Sequence, residues 1–178
     1  MFYGDYTDCA HTPLFSFGHG LGYTTFSYSD MAVEASSTSS PIAVGVTVAN
    51  TGSRVGEEVV QLYVSDLVAS VARPQAGLIG FARARLAPGQ AARVTFQIHP
   101  SRLAFYDDRM RFVVEPGRFR FAVGASFSDI RQESVVELTG PVASYSQRTV
   151  VAVTSRVEMS EVGAHSLATA GTGPAKPT

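Results

Sequence analysis

The groups able to do chemistry in this 178-residue chain are a few carboxylates, one thiol and four histidines. Glu57-Glu58 and Asp107-Asp108 are adjacent acidic pairs, the residue type used for general acid–base and nucleophilic work. In extended chain, however, neighbours point to opposite faces, and either pair in a turn sits in water with an ordinary pKa. They therefore read as solvated surface or turn caps. Cys9 is the only cysteine, so no internal disulfide is possible and the redox compartment stays open. A catalytic thiol needs a base, and Cys-His pairs are normally assembled from distant segments; with His11 two residues away, Cys9 reads as an incidental thiol. His11, His19, His99 and His165 show no ligand spacing, so no metal and no other cofactor is expected. Gly18-His19-Gly20-Leu21-Gly22 fails as a phosphate cradle, because it lacks the preceding apolar strand and the following helix.

Residues 13 to 26, Pro-Leu-Phe-Ser-Phe-Gly-His-Gly-Leu-Gly-Tyr-Thr-Thr-Phe, are a different matter. Phe15, Phe17, Tyr23 and Phe26 have a large area to bury, while Gly18, Gly20 and Gly22 free the backbone for φ > 0 or close approach. Such a segment is built to wedge against something. His19 within it has two readings: a hydrogen-bond donor into a neighbouring domain, or a partner for a buried carbonyl at the turn.

Charge and hydropathy exclude several partners. Lys and Arg number 14 against 15 Asp and Glu, a net charge of −1. The arginines alternate with apolar residues (Arg83, Arg85, Arg118, Arg120), which is the solvated face of strands and not a nucleic-acid footprint. No run of 18 apolar residues occurs, so no membrane span is expected. The start has neither a basic n-region nor an apolar h-region of a secretory signal. If Met1 is internal to a longer reading frame, any signal lies upstream, which leaves a periplasmic or secreted parent open.

What positions the wedge is a β-rich body. Ile42, Val44, Val46 and Val48 share one face, and the run ends at the turn Asn50-Thr51-Gly52-Ser53. Val60, Leu62 and Val64 form the next apolar row, and Leu78 to Leu86 alternates less cleanly. After Ala87-Pro88-Gly89-Gln90, residues Val94, Phe96 and Ile98 alternate with polar neighbours. Ser101 to Asp108 suggests one helical turn. Arg111 to Val114 and Phe119, Phe121, Val123 read as a hairpin about Glu115-Pro116-Gly117-Arg118. A last strand is expected around Gln132 to Leu138. Turn signals about every ten residues, without an amphipathic helix, predict an all-β, antiparallel β-sandwich of about seven strands over residues 26–140. With no tryptophan and one cysteine, a fibronectin type III-like core of aliphatics and Phe fits better than an immunoglobulin core. Residues 1–25 form an irregular linker. The stretch 141–178 is set aside as a partly disordered tail in which Thr149 to Val153 would add a strand or stay mobile, and Ala164 to Thr178 lacks apolar content to order it.

The segment 13–26 resembles the Pro-Leu-Phe-Pro-Phe-Gly-His-Gly-Leu-Ser-Tyr-Thr-x-Phe segment of family 3 glycoside hydrolases, the β-glucosidases and β-xylosidases. Further matches follow in order: Val48-Ala49-Asn50-Thr51-Gly52, Gly56-Glu57-Glu58-Val59-Val60-Gln61-Leu62-Tyr63-Val64, Gly80-Phe81, Leu86-Ala87-Pro88-Gly89, Phe105-Tyr106-Asp107 and Glu115-Pro116-Gly117. The chain departs at Ser16 (usually Pro), Gly22 (usually Ser), Ala76-Gly77 (commonly Lys-Glu) and Phe112 (usually Trp), changes expected to loosen the linker and one surface loop. The resemblance implies a C-terminal fibronectin type III-like domain preceded by a linker from the middle α/β domain. Retaining glycosidases need a nucleophile and an acid/base roughly 5 Å apart. In that family both precede the region matched here, so this chain is expected to hold no catalytic and no substrate-binding residue. The expected partners are the catalytic domains of the same parent polypeptide, contacted by Leu14, Phe15, Phe17, Gly18, His19, Gly20 and Tyr23, with homodimer contacts through the same rings and supporting contacts from Asp5 and Asp8. The alternative is a stand-alone carbohydrate-binding or immunoglobulin-like interaction module.

Overall fold

The computed structural model describes residues 13–146 and 151–160. Among them are eleven strands: β1 (Phe26–Glu34), β2 (Ile42–Asn50), β3 (Gly56–Asp66), β4 (Gly77–Leu86), β5 (Ala91–Ile98), β6 (Phe105–Tyr106), β7 (Phe112–Val114), β8 (Gly117–Ser126), β9 (Asp129–Leu138), β10 (Ala143–Ser144) and β11 (Thr154–Ser160). One sheet runs β1-β2-β5-β11, a second β4-β3-β8-β9, and a small third sheet β10-β7-β6. All strand pairs are antiparallel. The two four-stranded sheets face each other as a β-sandwich.

The period-2 rows of the sequence make its core. Ile42, Val44, Val46 and Val48 from β2, with Val94, Phe96 and Ile98 from β5, meet Val60, Leu62, Phe119, Phe121 and Val123 of the opposite sheet, each 0–1% exposed. Full burial of one such side chain contributes about 1.5–3 kcal/mol. The absence of a Trp or disulfide is made good by this continuous aliphatic and Phe layer. Arg83, Arg85 and Arg118 lie exposed on the outer face, as their alternation predicts.

Four features differ from the sequence reading. Eleven strands replace about seven, partly because β6, β7 and β10 are two or three residues long. β1 is missed because its alternation breaks at Asp30, whose φ is 53° and where the β1–β2 register shifts. Arg93 of β5 reaches across Gly45 of β2, where a Cβ would meet its guanidinium, and donates from Nη1 to Asp30 O at 2.6 Å. The bulge is thus fixed from two strands away. The Arg111–Val123 hairpin does not form: β7 pairs with β6 and β10, whereas β8 pairs with β3 and β9. Glu115-Pro116-Gly117 is a corner between sheets, and turn residues alone cannot distinguish a corner from a hairpin. Finally, a strand does form in the segment set aside as a tail, at Thr154–Ser160; of the stretch Thr149 to Val153, residues 151–153 lie in no strand and residues 149–150 fall outside the described residues. It lies along β5 and is anchored by Val153, which packs against the core beside Gly80. The helical turn is a 3₁₀ turn, Pro100–Leu103, capped by His99.

Candidate functional site

The outer face of β3 is covered. Its outward residues Gln61 and Tyr63 are only 5% and 2% exposed, values of a core and not of a solvated sheet face. Their cover is the segment 13–24, which crosses that face as a strap, together with Phe127 from the β8–β9 turn, whose ring meets Tyr63 edge-on at 5.7 Å.

Two pins hold the strap. At the first, Gln61 Nε2 donates to Gly18 O (3.1 Å) and Ala125 O (2.6 Å), while Tyr63 Oη donates to Gln61 Oε1 (2.6 Å). Gly18 has φ 79°, and a Cβ there would overlap the Gln61 amide, so glycine is required both for conformation and for space. The Phe127 amide adds a bond to Phe17 O at 3.0 Å. Burial also raises the pKa of the Tyr63 hydroxyl, keeping it a donor. At the second pin, Thr24 Oγ1 donates to Asn50 Oδ1 (2.7 Å), and the Thr24 side chain fills the space that Gly52 and Gly56 leave open. Asn50, 1% exposed, also accepts from Gly52 N (3.0 Å) and donates to Arg54 O (2.7 Å) and Leu86 O (2.9 Å). Its amide is fully used, which is the physical reason for Asn at the head of that turn.

Between and before these pins the rings face water. Leu14 is 90% exposed, Phe15 and Phe17 65%, and Tyr23 92%. Leu21, which the sequence reading left out, joins them. His19 bonds through its backbone N–H to Ser16 O (3.0 Å), and its exposed imidazole lies against the Phe15 ring with centroids 5.1 Å apart. The imidazole is therefore not the partner of a buried carbonyl. Gly20 has open space around its Cβ position, so nothing in this domain demands glycine there. The Ser16 hydroxyl accepts from Ser128 Oγ (2.7 Å) and donates to Ser126 Oγ (3.3 Å), tying the strap to the β8–β9 turn. An apolar cleft of about 680 Å³, lined by Phe15, Phe17, Tyr63, Leu78 and Phe127, opens beside the rings.

The acidic pairs behave as structural groups. Glu57 pairs with Arg83 (3.0 Å) in the open, and Glu58 accepts from Tyr28 Oη (2.7 Å), whose pKa is raised by burial first and by Glu58 second. Asp107 departs from the expectation of ordinary solvation. It is 5% exposed and caps its turn, accepting from Arg109 N (3.0 Å), Arg111 N (2.8 Å) and Arg111 Nε (2.8 Å). Burial alone would raise its pKa, but these bonds and the Arg111 charge together hold it below the usual carboxylate range. Cys9, His11, Asp5, Asp8 and His165 lie outside the described residues.

Gln61, Tyr63, Asn50, Thr24 and Phe127 are the residues that sequence reasoning missed. A signal existed for two of them: Gln61 and Tyr63 place a long amide and a large ring on the supposed wet face of a central strand.

Residues 58–127 match the fibronectin type III-like domain family. The chain is 45% identical over 122 residues to a β-glucosidase of Bacteroides ovatus, covering 67% of this chain and 16% of that protein. It is 43% identical over 125 residues to a β-xylosidase of Formosa agariphila, covering 69% and 17%. Among solved structures, a Listeria innocua β-glucosidase in complex with glucose superposes with a TM-score of 0.73 at 30% identity, over 80% of this chain and 20% of that one. The chain thus spans a fifth or less of the length of each of these proteins.

Proposed function

We infer from a chain that belongs to the fibronectin type III-like domains of family 3 glycoside hydrolases that its work is accessory and not catalytic. It is the C-terminal module of a longer polypeptide whose catalytic domains hydrolyse the O-glycosyl bonds of β-glucosides or β-xylosides. Its part is to fix those domains in place. The observation behind this reading is the strap: Leu14, Phe15, Phe17, Leu21 and Tyr23 are held in water on a backbone pinned to the sandwich at Gly18 and Thr24. A loose loop would lose entropy on docking, whereas a pinned one is preorganised. Contiguous exposed apolar area of this kind marks an interaction surface. The docking residues are Leu14, Phe15, Phe17, Gly18, His19, Gly20 and Tyr23, with Gly18 acting through its pin and Gly20 leaving room for a partner backbone. Freed from its partner, the same patch makes homodimer contacts.

The test is Phe15→Ser/Phe17→Ser, made both in this chain and in the full-length polypeptide. In this chain the urea midpoint stays within error, while concentration-dependent association in the ultracentrifuge is lost. In the full-length polypeptide, aryl β-glycoside turnover at 25 °C persists but thermal inactivation comes at a lower temperature. Unchanged association together with unchanged inactivation would falsify the docking role.

A further inference from the structure

The two large sheets are out of step at one side of the sandwich. Gly80 of β4 lies against Phe96 of β5 and Val153: a Cβ there would stand 3.3 Å from the Phe96 ring and 3.0 Å from the Val153 side chain. β4 therefore faces β5, and β11, one strand further out in the first sheet, has no strand opposite it in the second. Register tells which residues of β11 look inward. Val157 pairs with Val94 and Met159 with Ala92, and directly opposed residues of an antiparallel pair point to the same face. Val94 and Ala92 are fully buried, so Val157 and Met159 share the core-side face; yet they are 38% and 56% exposed. The second sheet stops one strand short of covering them.

What borders this gap is the free edge of β4. Gly77–Leu86 is bonded to β3 on one side and, among the described residues, to no strand on the other. Such an edge presents a row of unpaired N–H and C=O groups, which proteins commonly blunt with Pro, Lys or a bulge. β4 has neither Pro nor Lys, and its register shift lies between Leu78 and Gly80, so Phe81–Leu86 is regular. On its outer face that stretch carries Phe81, Arg83 and Arg85, all exposed. Glu57 holds Arg83 at 3.0 Å, whereas Arg85 has no hydrogen-bond or ion-pair partner among the described residues. The row keeps a positive charge in excess.

We propose that the Phe81–Leu86 edge is a β-strand addition site for an extended segment of another polypeptide, apolar at every second residue with carboxylates between. Its main chain continues the sheet from β4, its apolar side chains cover Val157 and Met159, and its carboxylates fall beside Arg83 and Arg85. The β4 strand of a second copy does not suit the edge, because it sets Arg83 and Arg85 against the same row of arginines, and like charges across a strand pair destabilise it. The site does not rest on the docking role of the strap.

Acetylated and amidated Thr-Val-Glu-Val-Glu-Val-Thr is the probe, titrated into the full chain and followed by the Phe81–Leu86 amide and the Val157 and Met159 methyl resonances. Saturable shifts are expected at both. Alternate N–H groups of a strand point to opposite edges, so of two probes N-methylated at the valines or at the glutamates, one keeps its affinity and the other loses about tenfold or more. Arg85→Glu weakens the glutamate peptide about fivefold or more and strengthens its lysine counterpart, a reversal that loss of structure does not produce. Val157→Thr/Met159→Thr keeps β-branched residues in β11 and weakens the peptide about fivefold or more, with the urea midpoint unchanged. The proposal is overturned if millimolar peptide shifts nothing, if both N-methylated probes bind alike, or if the lysine peptide binds the parent chain as well as the glutamate one. Protection of the Phe81–Leu86 amides that rises with protein concentration, without peptide, assigns the edge to a second copy and overturns it too.

Discussion

Gly18→Ala probes the first pin of the strap. Alanine at φ 79° carries a penalty of roughly 1–2 kcal/mol for left-handed backbone. Its Cβ would also overlap Gln61 Oε1, so the Gln61 side chain must leave. That departure removes the bonds to Gly18 O, to Ala125 O and from Tyr63 Oη. At about 0.5–1.5 kcal/mol net for each, three bonds add about 1.5–4.5 kcal/mol, giving a total of about 2.5–6.5 kcal/mol against the docked strap. The whole domain need not feel this, because the strap can detach first and cap the loss at its own docking energy. The assay is therefore local: hydrogen exchange at the Phe127 amide, which donates to Phe17 O. Gly18→Ala should raise its exchange rate by a hundredfold or more, or to the limit set by the free strap, while the β2 and β5 amides keep their protection. Adding Gln61→Ala removes the overlap, so in that background Gly18→Ala should cost only the backbone penalty of about 1–2 kcal/mol. Strictly additive effects, or an unchanged Phe127 exchange rate in the single variant, would refute the pin.

Asn50→Asp removes both donors to Arg54 O and Leu86 O and places a charge at a 1%-exposed site. A loss of about 3–5 kcal/mol in urea unfolding is expected, with Asn50→Ala milder at about 2–3 kcal/mol. For Asp107, whose folded pKa is depressed, the stabilisation is present above the unfolded value of about 3.9 and is lost as pH falls through the folded value. The stability gap between the parent chain and Asp107→Asn should therefore be constant from pH 7 to 5 and close below pH 4. A gap independent of pH down to 2 would contradict the depressed pKa.

The sandwich itself was legible because a half-buried strand writes its face into every second residue. Ile42 to Val48, Val94 to Ile98 and Phe119 to Val123 declare which side is wet and which is dry. Where the period breaks, legibility ends: the bulge at Asp30 hid β1, and its cause, Arg93, comes from a strand more than sixty residues away. The corner at Glu115-Pro116-Gly117 carries the residues of a hairpin turn, and only the pairing of β8 with β3 and β9 separates the two.

The candidate site divides the same way. From the residues alone came the concentration of rings and glycines over 13–26 and the apolar faces of the sheets, since these are local properties of composition and period. The tertiary structure decided where the segment goes. Alternation assigns Gln61 and Tyr63 to the outer face, and nothing local says whether water or chain will cover that face. The cover is a contact across 43 residues of sequence, from Gln61 to Gly18. Long-range closure of that kind depends on the mutual fit of an amide, a left-handed glycine and a carbonyl, which no single segment encodes.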